Sequence, residues 1–147
     1  IKWVITPTQR SDPSAISTLS KLINSMECEV FKSSPKEHDK AVSLISHLPI
    51  FLASALIETA NGENNGSLLN LTQKLAASGF FDTSRVGGGN PQLGLDLAKN
   101  NQKNILEAIS NFKHKLNDLE SLIKDKNWEK LLKKLSEAKK IRTDFIH

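Results

Sequence analysis

The sequence predicts a mainly α-helical domain preceded by a short β-α-β piece of an α/β sheet domain. Three observations carry this. After residue 34, apolar residues recur at three- and four-residue steps, the period of one helix face. A capping residue is followed by proline at Asp12-Pro13, Ser34-Pro35 and Asn90-Pro91. That pair starts a helix, because the cap accepts a free backbone N–H and proline has none to satisfy. Only two segments read as strands, Trp3-Val4-Ile5 and Glu29-Val30-Phe31-Lys32, and both lie before residue 34.

Composition bounds the function. The 147 residues suffice for one domain with a core, or for one small domain plus part of another. With 38% hydrophobic and 24% charged residues the chain is expected to fold. A net charge of +4 falls short of a nucleic-acid footprint, so no nucleic-acid partner is expected. Cys28 is the single cysteine, which rules out an internal disulfide and a cysteine metal cluster. A reducing, cytoplasmic compartment fits this usage, and no metal is expected. The longest apolar run, around Leu48 to Ile57, is too short to span a bilayer and contains Pro49, so no membrane partner is expected. The chain opens on Ile1-Lys2-Trp3-Val4-Ile5 without an initiator methionine. It reads as a strand entered from upstream, the C-terminal piece of a longer protein.

Trp3-Val4-Ile5 is β-prone and buried in character, and Thr6-Pro7-Thr8 ends it. Asp12 caps a helix that Ala15, Ile16, Leu19, Leu22 and Ile23 carry to about Met26. Glu29–Lys32 then returns as a strand, so residues 1–33 read β-α-β. With no sheet neighbours, these strands are expected to fray or to pair with another copy. Ser34-Pro35-Lys36-Glu37 is a capping box, and the boundary is placed at Ser33-Ser34. In the helix that follows, Pro49 cannot donate to the carbonyl of Ile45, so a bend is expected there, with Ser46 and His47 on it. His38 lies in the exposed first turn.

Asn61-Gly62-Glu63-Asn64-Asn65-Gly66 is a loop on composition. Leu68 to Ala76 form a short helix, with Gly79 suited to its C-cap. Asn90-Pro91 opens a long helix. From Ile105 the apolar steps run 4, 3, 4, 3, 4 through Ile109, Phe112, Leu116, Leu119 and Ile123, a heptad-like seam. Asp125-Lys126-Asn127 breaks it, and Trp128, Leu131, Leu135, Ala138 and Phe145 continue on a last helix, forming an αα-hairpin. The lysines lie off the seam as a solvated face.

The stretch from Phe80 to Pro91 carries the clearest chemistry. Arg85 offers a planar fork of donors that fits a carboxylate or phosphate. Gly87, Gly88 and Gly89 allow φ > 0 and close backbone approach to a ligand. The helix start at Asn90-Pro91 adds free N–H groups. Together they suggest a pocket for an anionic small molecule. The same pattern also fits a flexible glycine linker with a surface arginine. His47, taken alone, also fits a helix histidine with one satisfied nitrogen.

The order Trp3-Val4-Ile5-Thr6-Pro7-Thr8, Glu37-His38-Asp39, Ser46-His47-Leu48-Pro49 and Gly79-Phe80-Phe81-Asp82-Thr83-Ser84-Arg85-Val86-Gly87-Gly88-Gly89-Asn90-Pro91 resembles the prephenate/arogenate dehydrogenase family. The likeness covers nearly the whole chain, and the glycine run and Thr-Ser-Arg triplet look most like its arogenate-using branch. It implies NAD(P)-dependent oxidative decarboxylation in tyrosine biosynthesis, in a cytoplasmic homodimer. It implies a nucleotide-binding domain ending near residue 33, then a helical substrate-binding and dimerisation domain over 34–147. Carried over by position, Arg85 binds a substrate carboxylate, and His47 with Ser46 lines the same pocket beside Gly87, Gly88 and Gly89. The family's proton-accepting histidine, in a His-Pro motif before the Trp-Val strand, has no counterpart in this sequence, so no catalytic residue is assigned. The dinucleotide fingerprint has none either: Gly87-Gly88-Gly89 does not follow a strand in a βαβ unit. NADP or NAD is expected to bind mainly outside these residues. Phe81 stands where members of that family often have a basic residue, so no salt bridge is carried over to that point. Two other classes remain open on the residues: a stand-alone helical interaction module, and the helical domain of another NAD(P)-dependent dehydrogenase.

Overall fold

The computed structural model describes residues 1–62 and 65–146. Part of the expected loop at residues 61–66 therefore lies outside the described residues. The chain divides into two compact units, Ile1–Leu106 and Glu107–His147.

In the first unit, β1 (Lys2–Ile5) pairs in parallel with β2 (Glu29–Lys32), with Lys2 opposite Glu29 and Ile5 opposite Lys32. Helix α1 (Pro13–Ser25) makes the crossover and buries Ile23. The strands thus pair with each other, contrary to the expected fraying: an α-helical crossover brings two short parallel strands side by side within one chain. Trp3 and Val4 are 47% and 45% exposed, which corrects their reading as buried. One helix cannot cover both faces of a parallel sheet. Asp12 caps α1, its Oδ1 accepting from the Ser14 N–H at 2.8 Å. That bond and the Ser14 hydroxyl hold the Asp12 carboxyl below its usual range.

Helix α2 (Pro35–Val42) starts on the expected capping box. The Glu37 N–H donates to Ser34 Oγ at 3.2 Å, and the Ser34 N–H donates to Glu37 Oε2 at 3.1 Å. At Pro49 the expected bend takes a specific form. Ser43–His47 is a π-helical turn in which the Leu48 N–H reaches the Ser43 carbonyl, and α3 (Leu48–Asn61) follows with Pro49 in its first turn. The wider turn ahead of the prolyl ring absorbs the missing donor and the crowding of the Ile45 carbonyl. The continuous helical run Pro35–Asn61 is 27 residues, long and apolar enough to cross a membrane by length and composition. This revises the limit drawn from Leu48–Ile57 alone. Within that run Ser43, His47 and Ala53 are buried, and the segments Ser78–Ser84 and Arg85–Gly88 lie against α3.

Helix α4 (Gly66–Leu75) is capped by Asn65 and ends at Ala76. Gly79 is not its C-cap but lies inside α5 (Ser78–Ser84). The glycine run differs more. Arg85–Gly88 forms a 3-10 turn, and no described glycine has positive φ. Helical bonding continues from α5 into the run, so it is neither a flexible linker nor a set of left-handed residues. Helix α6 (Pro91–Asn100) is shorter than the long helix expected from Asn90-Pro91, because Asn101, at φ −129° and ψ 32°, ends it. Helix α7 (Gln102–Lys124) restarts at once.

In the second unit, the remainder of α7 is followed by a break at Asp125-Lys126-Asn127, where Lys126 takes φ 52°. Asn127 then caps α8 (Trp128–Arg142) through the Lys130 N–H at 3.2 Å. Lys134 Nζ reaches Asp118 Oδ2 at 2.9 Å, a pairing across the turn that fits an αα-hairpin. Phe145 lies beyond α8, which corrects its placement on the last helix: turn bonds from Thr143, Asp144 and Phe145 close the helix first.

Candidate functional site

The π-helical turn places Ser46 and His47 side by side but in different surroundings. Ser46 is exposed, whereas the His47 ring is buried, with 8% of its surface accessible. Burial holds the His47 imidazole below its ordinary value; the Asp39 carboxylate opposes this and His38 adds to it. His38 itself is half-buried, with its Nδ1 3.1 Å from Asp39 Oδ1. The partner that sequence reasoning missed is Asn101. Its Nδ2 lies 2.7 Å from the Asp39 carbonyl oxygen and 3.3 Å from His47 Nδ1. Its Oδ1 accepts from Asn104 Nδ2 at 2.7 Å. A faint signal existed: asparagine suits the residue at which a helix stops, and Asn100-Asn101 interrupts an otherwise helical pattern.

Arg85 opens the 3-10 turn, exposed and without a hydrogen-bond or ion-pair partner among the described residues. Its place is set two residues on. A Cβ on Gly87 would fall 2.5 Å from Ser54 N and 2.9 Å from Ala53 Cβ, closer than any side chain tolerates. Glycine is therefore required there for contact with α3 rather than with a ligand. Ala53 is six residues after His47, about 9 Å along the helix axis. The same rod that ends the π-helical turn at His47 thus anchors the turn that carries Arg85.

The three glycines are not equivalent. Gly87 and Gly89 line a cavity of about 300 Å³ between α3 and α6, walled by Ile50, Phe51, Val86 and Leu95. Gly88 would meet nothing within 4 Å. That cavity is mostly apolar, and Arg85, Ser46 and His47 do not line it. The structure therefore joins Ser46 to His47 and Arg85 to the glycines, and ties both pairs to one helix without enclosing them in one cavity.

A dinucleotide does not fit the β1–α1 connection. The segment from Thr6 to Asp12 contains no glycine, and the Asp12 carboxylate already takes the Ser14 N–H at the α1 start. A pyrophosphate needs the N–H groups of a helix start free and no carboxylate beside them. Among the described residues no group of three or more His, Cys, Asp or Glu could hold a metal ion.

With that geometry in view, known proteins give a consistent answer. The family model described as prephenate dehydrogenase, dimerization domain, matches residues 34–137. Prephenate dehydrogenase of Bacillus subtilis is 27% identical over 140 residues, which is 95% of this chain and 37% of that protein. Among solved structures, Synechocystis arogenate dehydrogenase superposes with a TM-score of 0.93 at 38% identity, over 99% of this chain and 52% of that one. Prephenate dehydrogenase from A. aeolicus, in complex with hydroxyphenyl propionate and NAD+, superposes with a TM-score of 0.89 at 28% identity, over 98% and 50%. The chain thus spans between about a third and a half of these relatives' lengths. Matched over most of its residues, it belongs to the prephenate dehydrogenase dimerisation-domain family.

Proposed function

We propose that these residues are the substrate-binding and dimerisation part of an NAD(P)-dependent prephenate or arogenate dehydrogenase. In this reading residues 34–147 form the helical domain, and residues 1–33 end a nucleotide-binding domain. The protein is a cytoplasmic homodimer that carries out oxidative decarboxylation of a cyclohexadienol carboxylate in tyrosine biosynthesis. One observation carries the reading: a guanidinium without a partner among the described residues and a buried imidazole are held on the same helix, Arg85 through Gly87 and His47 directly.

The chemistry of the residues fits the substrate class. Among the described residues no anion pairs with Arg85, so its fork is free for a carboxylate of the ligand. His47 adds a neutral polar group, and Ser46 an exposed hydroxyl beside it. Gly88, with open space where a Cβ would be, leaves its backbone accessible, and Gly87 and Gly89 shape the adjoining apolar cavity. These groups bind and orient a substrate. We do not assign NADP or NAD to them; the cofactor is assigned mainly to the nucleotide-binding domain that residues 1–33 end.

The test is direct. The natural full-length protein is mixed with arogenate or prephenate and with NAD+ or NADP+, and reduced cofactor and CO2 are followed together. Stoichiometric release of both with at least one pair is expected. Absence of turnover with all four pairs, in a folded protein, would overturn the assignment.

A further inference from the structure

We propose that Asn101 is a positioning residue that fixes His47 as the tautomer with its proton on Nε2, so that the ring presents an N–H donor and not a lone pair to the ligand. Asn101 is 54 residues from His47 in sequence and belongs to none of the motifs quoted for the family.

The argument is one of donors and acceptors. The Asn101 amide has two distinct ends, and its neighbours decide which faces where. The Asp39 carbonyl can only accept, so the atom 2.7 Å from it is the NH2 nitrogen. On the other side, Asn101 Oδ1 takes a hydrogen from Asn104 Nδ2 at 2.7 Å. The Asp39 carbonyl fixes the orientation, and the Asn104 contact is compatible with it. The NH2 group is then also the atom 3.3 Å from His47 Nδ1, and it has a second hydrogen to give. Nδ1 must accept, and in a neutral ring the proton then sits on Nε2.

Nε2 has no protein partner among the described residues. No described buried side-chain nitrogen or oxygen lacks a partner, so Nε2 is an atom through which the mostly buried ring still meets solvent. A neutral N–H there suits a carboxylate oxygen, whereas the opposite tautomer would set lone pair against lone pair. Burial favours the neutral ring, and the titratable neighbours that act on it are Asp39 and His38.

The proposal rests on the reading of His47 as a ligand-facing residue, but its first test does not. The full-length protein, labelled with 15N in histidine, reports the His47 tautomer from its two ring nitrogen shifts. Wild type is expected to be the Nε2–H form alone. Asn101→Asp replaces the donor by an acceptor and should move the proton to Nδ1 and raise the His47 pKa. Asn101→Ala should give a mixture. An unchanged, pure Nε2–H ring in both variants, or an Nδ1–H ring in wild type, overturns the proposal. In turnover, Asn101→Asp should raise KM by roughly tenfold and change kcat less, the mark of a lost ground-state contact. A tautomer that switches while KM stays fixed leaves Asn101 as the positioning residue and removes His47 from substrate binding.

Discussion

Gly87 lies so close to Ala53 that a Cβ on the glycine would sit 2.6 Å from the alanine carbonyl carbon. The obstacle is helix backbone, which cannot swing aside as a side-chain tip would. Gly87→Ala should therefore destabilise the protein by about 2 kcal/mol or more, through forced separation of the 3-10 turn from α3. Gly88→Ala, facing open space at negative φ, should change stability by less than about 0.5 kcal/mol. Chemical denaturation of the two variants separates these outcomes, and equal losses would show that the contact is not specific.

The described residues leave much apolar surface uncovered. Ile45 and Leu75 in the first unit are 64% and 70% exposed, and Leu132 in the second is 68% exposed. An apolar groove of about 470 Å³ between α3, α4 and α5 is lined by Ile57, Leu69, Leu75 and Phe80. The buried hydrophobic core of the described residues is small: Ile23, Ala53, Ile105 and Ala108. Large exposed patches of this kind mark association surfaces. Sedimentation at micromolar concentration is expected to show a dimer. A monomer with native helicity would contradict this.

His47 should give stability a pH dependence of definite sign. Its folded-state pKa lies below the ordinary value of 6.5, so between the two the unfolded chain binds more protons. The contribution of the neutral ring is fully present above 6.5 and is lost as pH falls toward the folded-state value. Glu37 and Asp118, both held low by hydrogen bonds, act in the same direction in the carboxylate range. The urea midpoint should fall between about pH 7.5 and pH 5, and His47→Gln should flatten that part of the curve. A wild-type midpoint constant over the window would show that the ring is not buried neutral.

Local features were legible in the sequence and distant ones were not. Asp12-Pro13, Ser34-Pro35-Lys36-Glu37 and Asn90-Pro91 each act within three residues, and each caps the helix it was expected to cap. Pro49 announced a distortion for the same reason, though not its π-helical form. Gly87 could not be told from Gly88 or Gly89, because only its contact with Ala53, 34 positions earlier, makes it different. Asn101 and His47 meet across 54 residues, and no periodicity encodes that pairing. Arg85 and His47 stood out only as motifs, while the helix they share came from the fold.

These residues by themselves should show no dehydrogenase activity. Hydride transfer requires a nicotinamide held against the substrate carbon, and orientation supplies a large part of the rate. The β1–α1 connection offers no dinucleotide cradle. Incubation of the purified 147 residues with arogenate or prephenate and either cofactor should leave absorbance at the reduced-nicotinamide band unchanged. Formation of reduced cofactor, abolished by His47→Asn, would mean that the hydride site lies within this chain.

The proposed role of Arg85, receiving the substrate carboxylate, is tested by one kinetic comparison. Arg85 has no partner among the described residues, so its removal should leave the denaturation midpoint unchanged. In the full-length enzyme Arg85→Ala should lower kcat/KM by about 2–4 kcal/mol, or roughly thirty- to several-hundred-fold. Arg85→Lys should recover only part of that loss, since an ammonium cannot reproduce the planar fork. A kcat/KM for Arg85→Ala equal to that of wild type, with the same substrate and cofactor, would contradict the assignment and make Arg85 a surface residue.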